Sequence, residues 1–185
     1  IPVETRVPLK FGSETLTSVT CARASVTVAN ASGVQATGWG ETPLSVQWVW
    51  PSSISYSDRH DALKDFTERL CPKISSISAY GHALGLGHEF LFNRLPKILA
   101  DFNAGLRPGQ EPMPWLAALV CASAYDIALH DAYGRINDVP IYSAYGSDYL
   151  NRDLSAFLQP AEGSDVSFIG KTPADYLHPS PKSLQ

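Results

Sequence analysis

The sequence lacks any apolar run that could cross a lipid bilayer. Its most apolar window, WLAALVCASAY at 115–125, is far shorter than the roughly 20 residues that a transmembrane helix requires. The chain also shows no apolar signal-peptide core near its first residue. We therefore expect no membrane partner.

Cysteine is scarce. Cys21, Cys71 and Cys121 are the only three, they are widely spaced, and no C-x-x-C pair occurs. An odd number at this spacing argues against a disulfide framework and against a zinc knuckle. We expect three small, buried, reduced side chains, as in a cytoplasmic protein.

Charge of either sign is modest. Charged residues make up 17% of the 185 residues, the net charge is −4, and no basic cluster stands out. Nucleic acid is therefore not an expected partner. The hydrophobic fraction of 44% is ordinary for a globular protein, and the length is sufficient for one domain with a real core.

The first 41 residues have the pattern of β-strands. In TSVTCARASVTVAN, small apolar residues alternate with polar ones, which is typical of a strand with one buried face. The members of the apolar face are Ala22, Ala24, Val26 and Val28. NASG supplies a turn in which Gly33 can take a positive φ, and VQATGWGE returns as the next strand. With RVPLKF as the first strand, the pattern predicts a three-stranded antiparallel meander.

Two tryptophans follow in a segment bounded by prolines, TPLSVQWVWPSS. We interpret this segment as a loop that carries Trp48 and Trp50. Side chains of this size pack into a core more often than they bind ligands, but an exposed pair would offer a large apolar surface to a partner.

Three helical patterns come next. SDRHDALKDFTERLC has Ser57 as a candidate N-cap, and GHEFLFNRLPKILADFNAG contains Pro96, which predicts a break or kink near Asn93 to Pro96. MPWLAALVCASAYDIALHDAYGR is apolar on all sides from Trp115 to Ala124, which predicts the central buried helix, and Gly134 can end it. The predicted fold class is α+β, a three-stranded meander followed by a helical bundle.

The composition changes after Gly146. Residues 147–185 are rich in proline, serine and aspartate and contain only short apolar pieces. We therefore divide the chain into a domain at 1–146 and a linker or arm at 147–185.

Acidic and histidine side chains recur inside the last helical pattern. Asp126 and His130 are four residues apart, as are Asp131 and Arg135, so each pair shares a helix face. We favour a structural role for both pairs over a metal site, because no third and fourth ligand stands nearby. His82, His88 and Glu89 lie on a glycine-rich segment that we interpret as a loop, without the spacing of a metal motif. We assign no catalytic and no metal-ligating residue to this chain.

Two separated segments resemble one known domain. ASAYDIALHDAYGRINDVPIYSAYG is similar to the A-x-D-x-A-L-x-D-x-x-G-K/R helix and the v-P-x-y-x-l-x-G exit of the N-terminal capping domain in the enolase superfamily, in its mandelate racemase and muconate lactonizing branch. GVQATGWGETP resembles the glycine-rich strand of that domain. The matching positions are Gly33, Gly38, Trp39, Gly40, Glu41, Ala124, Asp126, Ala128, Leu129, Asp131, Gly134, Arg135, Val139, Pro140, Tyr142 and Gly146. The order of strands and helices agrees over residues 6–146.

The resemblance implies a capping role. In that family the domain closes over a (β/α)-barrel whose acidic residues hold Mg²⁺ and whose bases abstract a proton α to a carboxylate, as in racemases, epimerases and acid-sugar dehydratases. Two capping-domain loops select the substrate. By position these are Lys10–Ser18 and Thr42–Ser53, with Lys10, Phe11, Gly12, Ser13, Trp48 and Trp50 as specificity residues. The implied partners are the C-terminal barrel of the same protein, a small carboxylate substrate and further copies in a homo-oligomer.

The barrel itself is not expected in this chain. It requires at least about 200 further residues, whereas 39 follow Gly146 and show no alternating strand and helix units. The chain is therefore predicted to be an inactive capping-domain fragment of an isomerase or lyase. The alternative is a free-standing module that binds a small molecule or a protein through Trp48 and Trp50.

Overall fold

The computed structural model describes residues 1–11, 14–106 and 111–177. A three-stranded antiparallel sheet in the order β1-β2-β3 comes first, formed by β1 (Pro2–Phe11), β2 (Glu14–Ala29) and β3 (Gln35–Pro43). Five α-helices follow: α1 (Val46–Val49), α2 (Tyr56–Ser75), α3 (Ala83–Glu89), α4 (Leu95–Leu106) and α5 (Trp115–Ile136). The predicted α+β class and the meander are confirmed, and the described residues beyond Pro43 contain no strand.

The β2–β3 pair forms the half of the sheet that packs on the helices. Its register runs without interruption from Cys21 opposite Pro43 to Ala29 opposite Gln35. Ala24 is buried while Arg23 and Ser25 are exposed, so the alternation read from the sequence is confirmed. α5 lies across the buried face of β3 and β2.

The β1–β2 hairpin extends away from the helices. Its register shifts between Glu4 and Leu9, and β1 packs chiefly on β2. As a result, Val7 and Leu9 of β1 are exposed although they are apolar. Strand pairing alone therefore holds the outer part of this hairpin.

The segment predicted as a tryptophan loop contains a helical turn, α1. α2 begins one residue after Ser55, whose hydroxyl accepts a hydrogen bond from the Asp58 N–H at 3.1 Å. The predicted N-cap, Ser57, is therefore wrong by two residues. The reason is that Ser55 and Ser57 both suit a cap, so the local sequence does not distinguish between them.

The interruption predicted before Pro96 is a π-helical turn, Phe90–Arg94, between α3 and α4. Pro96 has no N–H to donate to the carbonyl four residues earlier, and a π turn accommodates this loss. The glycine-rich segment before it is helical, so the predicted loop around His88 is wrong. His82 caps α3 and allows the helix to form despite Gly85 and Gly87.

The core lies between α2, α4 and α5. It contains Leu63, Phe66, Leu70, Leu95, Phe102, Met113, Ala118 and Cys121, together with α1 side chains. α5 is buried along an alanine-rich side only, because Trp115 and Leu116 are exposed. It also continues through Gly134 to Ile136, so the predicted end at Gly134 is wrong.

Residues 137–177 form turns and short 3₁₀ segments. A 3₁₀ turn, Ile141–Ala144, follows α5, and Ala144 is fully buried. Two more lie at Leu154–Ala156 and Pro173–Asp175. The Leu154 N–H donates to the Lys171 carbonyl at 2.7 Å, which closes the chain between them into a surface loop.

Candidate functional site

The glycines of β3 allow the sheet and α5 to touch through their backbones. A Cβ at Gly38 would lie 2.1 Å from the backbone nitrogen of Ala132, and one at Gly40 would lie 2.1 Å from the carbonyl oxygen of Ala124. Both distances are far below van der Waals contact, so only glycine fits at these positions. Ala128 lies between them on α5 and contacts both.

Asp131 joins the same strand and helix from the side. Its carboxylate accepts a hydrogen bond from the Trp39 N–H at 2.9 Å and one from the Arg135 guanidinium at 2.9 Å. Desolvation alone would raise the pKa of Asp131, but these two donors outweigh it and lower the pKa. The predicted Asp131–Arg135 pair is confirmed, and Asp131 additionally satisfies an N–H on the edge strand β3.

Replacing Asp131 with alanine is expected to lower the free energy of unfolding by about 1 kcal/mol. The side chain is 35% exposed, so its loss does not leave a fully buried charge behind. Because its pKa is lowered by folding, the charge-dependent part of this stability is present at neutral pH and is lost as the pH falls through the folded-state pKa. Urea unfolding at pH 7 and pH 3 measures it.

Asp131→Asn is the matched control, since it keeps an acceptor for the Trp39 N–H and loses only the charge. It should be closer to the wild type than Asp131→Ala at pH 7. Equal stability of all three proteins at pH 7 would contradict a structural role.

Asp126 and His130 lie on a different face of α5 from Asp131, and Asp126 lies close to Gly87 of α3. His130 Nε2 lies 3.9 Å from Asp126 Oδ1, and His130 Nδ1 lies 2.7 Å from the Tyr145 hydroxyl. Desolvation raises the pKa of Asp126 and lowers the pKa of His130, although each group partly offsets the shift of the other. Burial thus moves both groups toward their neutral forms, which weakens the ion pair that the spacing predicted.

His82 lies beside this pair, whereas His88 and Glu89 do not. His82 is 1% exposed, and its ring lies 6.4 Å from that of His130. His88 stacks on Phe92 at 4.5 Å, and Glu89 forms an ion pair with Arg94. Within 1–11, 14–106 and 111–177, no three His, Cys, Asp or Glu side chains are grouped to hold a metal ion.

The two tryptophans have different environments. Trp50 is 1% exposed, and its indole N–H donates to Glu111 at 3.1 Å. The Arg59 guanidinium donates to the Trp50 carbonyl, and the Ser52 hydroxyl donates to Glu111 at 2.6 Å. Trp50 is therefore an anchor of the core, and its assignment as a ligand-contacting residue is wrong. The physical reason is that burying an indole next to α2 removes a large apolar area from water.

Trp48 is the residue that this anchored segment presents to solvent. It is 60% exposed on α1, while Val46 and Val49 on the same short helix are buried. Of the two tryptophans, Trp48 is therefore the one accessible to a ligand or to a partner surface.

The other predicted specificity loop is mostly strand. β1 continues to Phe11 and β2 starts at Glu14, so most of Lys10–Ser18 belongs to the paired hairpin. Lys10 is exposed near the end of β1, and Phe11 is its last residue. Gly12 and Ser13 lie outside the described residues.

The sequence did not point to His82, Arg59 or Glu111 as anchoring residues. Two of them have partners that are distant along the chain: 62 residues separate His82 from Ala144, and 61 separate Glu111 from Trp50. Arg59 bonds Trp50, nine residues away. No local pattern reports such a contact. The one available signal was the histidine before ALGLGHE, at a position where an N-cap acceptor is favoured.

The cysteines differ in burial. All three are free; Cys121 is buried, Cys71 is exposed, and Cys21 is intermediate. The expectation of three buried thiols is thus wrong for Cys71, which lies outside the buried face of α2. Burial raises the pKa of Cys121 to about 12, so this thiol is inert at neutral pH.

Comparisons with protein-family models, with curated proteins and with solved structures gave no match. Among the described residues, no helix combines the length and the apolar character needed to cross a membrane.

Proposed function

We propose that this chain is the substrate-capping and specificity domain of an enzyme of the enolase superfamily, from its mandelate racemase and muconate lactonizing branch. The parent enzyme would be a racemase, an epimerase or an acid-sugar dehydratase that abstracts a proton α to a carboxylate. In this proposal the catalytic barrel lies outside this chain, and the fragment alone has no turnover. The free thiols support a reducing, cytoplasmic location.

One observation carries the proposal: the two sequence segments that resemble the capping domain contact each other. Gly38 and Gly40 of the strand segment meet Ala132 and Ala124 of the helix segment through their backbones. Trp39 of the strand donates to Asp131 of the helix. Residues about 90 positions apart thus form one complementary surface, which supports reading the two resemblances as parts of one domain.

The segment that leaves the helix also contains a position that requires glycine. A Cβ at Gly134 would lie 2.9 Å from the Val139 carbonyl, so the chain can fold back closely beside α5 at this point. Asp138 takes a φ of 53° in the turn between them. At Gly38, Gly40 and Gly134, three of the matched positions, this fold thus requires a residue without a Cβ. At Trp39 and Asp131 it pairs a specific donor and acceptor.

The exposed Trp48 is the residue that we assign to substrate selection. Trp48 lies on the short helix α1. This helix is held to the core by the buried Trp50, which follows it and donates a hydrogen bond to Glu111. A fixed apolar side chain can exclude water from a closed site and contact the substrate away from the reacting carbon. In this proposal the Mg²⁺ ligands and the bases belong to the barrel, as the resemblance implies.

The test is to express the full coding region that contains this chain and to incubate the protein with acid sugars and Mg²⁺ in D₂O. We expect deuterium to enter α to the carboxylate of at least one substrate, detected by mass spectrometry. Trp48→Ser should change the ratio of kcat/KM between substrates by about tenfold, the range expected for one apolar contact. Trp39→Ser is the matched control, because Trp39 is similarly exposed, at 56% against 60%, but lies on the sheet.

A coding region that ends near Gln185, or a complete protein without deuterium exchange, would refute the capping role. Binding of a ligand by this chain alone, abolished by Trp48→Ser and not by Trp39→Ser, would favour the free-standing module instead.

A further inference from the structure

His82 connects three parts of the fold through its two ring nitrogens. Nδ1 accepts a hydrogen bond from the Leu84 N–H at 3.0 Å, which caps α3, and Nε2 lies 3.0 Å from the carbonyl oxygen of Ala144. Because a carbonyl can only accept, Nε2 carries the hydrogen and Nδ1 is bare. The structure therefore requires one neutral tautomer of a side chain that is 1% exposed.

Ala144 belongs to the segment that leaves α5, Pro140–Gly146, which we call the exit segment. The same segment carries Tyr145, whose hydroxyl bonds His130 and whose carbonyl accepts from the Ala174 N–H at 3.2 Å. The contact to Ala174 links the exit segment to the chain that follows it. The position of residues 147–177 therefore depends in part on how firmly the exit segment is held.

Aromatic rings, rather than carboxylates, face His82 in the described part of the chain. α5 contributes the ring of Tyr133, at 4.4 Å between centroids, and that of His130. The exit segment contributes the ring of Tyr145 at 5.6 Å. The carboxylate of Asp126 lies next to His130, with Oδ1 3.9 Å from His130 Nε2.

We propose that His82 is a proton-controlled clasp, which holds the exit segment against α3 and α5 at neutral pH and releases it in acid. A proton on Nδ1 would point at the Leu84 N–H, so two donors would face each other and the cap of α3 would be lost. The resulting cation would be buried without a carboxylate of the described residues in contact with it, which is costly. Release exposes the ring to water and removes both penalties.

His130 is not the clasp, although it is partly buried as well. The Tyr145 hydroxyl can either donate or accept, so a protonated His130 Nδ1 keeps this partner, and Nε2 faces the Asp126 carboxylate. Burial disfavours protonation of His130 as well, but protonated His130 keeps both of these partners. Protonated His82 instead sets its own Nδ1–H against the Leu84 N–H.

The direction of the pH effect follows from the pKa of His82. Burial lowers it, the Ala144 carbonyl partly opposes this, and His130 lowers it further. The released state, in which the ring is hydrated, has the ordinary histidine pKa of about 6.5 and binds more protons. The stability of the held state is thus complete above that value and declines as the pH falls below it. This inference does not depend on the proposed function.

Amide hydrogen exchange of the intact chain tests the clasp. Exchange rates at pH 7.5 and 5.5 are corrected for the intrinsic chemistry and compared between the exit segment and the buried part of α5. We expect the opening constant of the exit segment to rise by about tenfold at pH 5.5, the value for one proton taken up at a site with pKa near 6.5. The α5 amides should stay protected.

Two variants separate His82 from the other histidines. His82→Asn can still cap α3 but cannot titrate and is too short to reach Ala144, so the exit segment should exchange faster at both pH values, without the tenfold change. His60→Gln is the control, because His60 is also partly buried but bonds Thr20 of β2 rather than the exit segment. It should behave as the wild type does.

The imidazole signals of the wild type provide a second readout, independent of whether His82→Asn folds. A His82 ring that titrates at the ordinary pKa, or an exit segment whose exchange does not change with pH, overturns the proposal. So does a parallel loss of protection in α5, which would indicate general acid unfolding, and so does an unchanged pH response in His82→Asn.

Discussion

Replacing Trp50 with alanine is expected to lower the free energy of unfolding by about 3–5 kcal/mol, the cost of emptying the site of a buried aromatic side chain. Trp50 is 1% exposed and lies in the core with Leu63 and Phe66. The change also removes the indole N–H that donates to Glu111 at 3.1 Å. Urea unfolding followed by circular dichroism measures the effect.

Trp48→Ala is the matched control, because it deletes the same side chain two residues away at an exposed position. Its stability should stay within about 0.5 kcal/mol of the wild type. If the two variants lost the same stability, the assignment of Trp50 as the anchor and Trp48 as the presented residue would be wrong.

Replacing Gly40 with alanine is expected to cost about 3 kcal/mol, at the upper end of the range for overpacked sites. The added Cβ would lie 2.1 Å from the Ala124 carbonyl oxygen and 2.7 Å from the Ala128 nitrogen. Both atoms belong to the backbone of α5 and cannot move aside as a side chain does. β3 must therefore shift away from the helix, which would also disturb the Trp39–Asp131 hydrogen bond.

Gly85→Ala provides the control with the same added methyl group. Gly85 lies in α3 and has open space at its Cβ position. Alanine there should be neutral or should stabilise the protein by about 0.5–1 kcal/mol, because it favours the helix. Equal effects of Gly40→Ala and Gly85→Ala on the midpoint of unfolding would contradict the backbone contact.

Where local pattern and tertiary packing agree, the sequence was sufficient. The alternation was readable in the part of β2 that pairs with β3, because one face of that part is turned toward α5, as the burial of Ala24 illustrates. The interruption before Pro96 was readable because proline removes a donor whatever surrounds it. The helical spacing of Leu63, Phe66 and Leu70 predicts one shared face of α2, and all three are buried.

Where two local structures suit the same residues equally well, the sequence was not sufficient to predict which one forms. Ser55 and Ser57 both suit a helix cap, and Gly134 suits both a helix end and a close contact inside a helix. The candidate site had the same limit. The spacing of Asp126 and His130 predicted their proximity, but it did not reveal that Tyr145 and His82 complete the cluster, since these come from other segments.

By itself, the sequence determined the α+β class, the order of the elements and the apolar faces, because these depend on propensity and periodicity along the chain. Only the tertiary structure decided which tryptophan is buried, how the glycines of β3 meet α5, and which tautomer His82 must adopt. Each of these depends on atoms that are distant in the sequence. Those atoms determine whether a side chain contacts solvent, a hydrogen-bond donor or a hydrogen-bond acceptor.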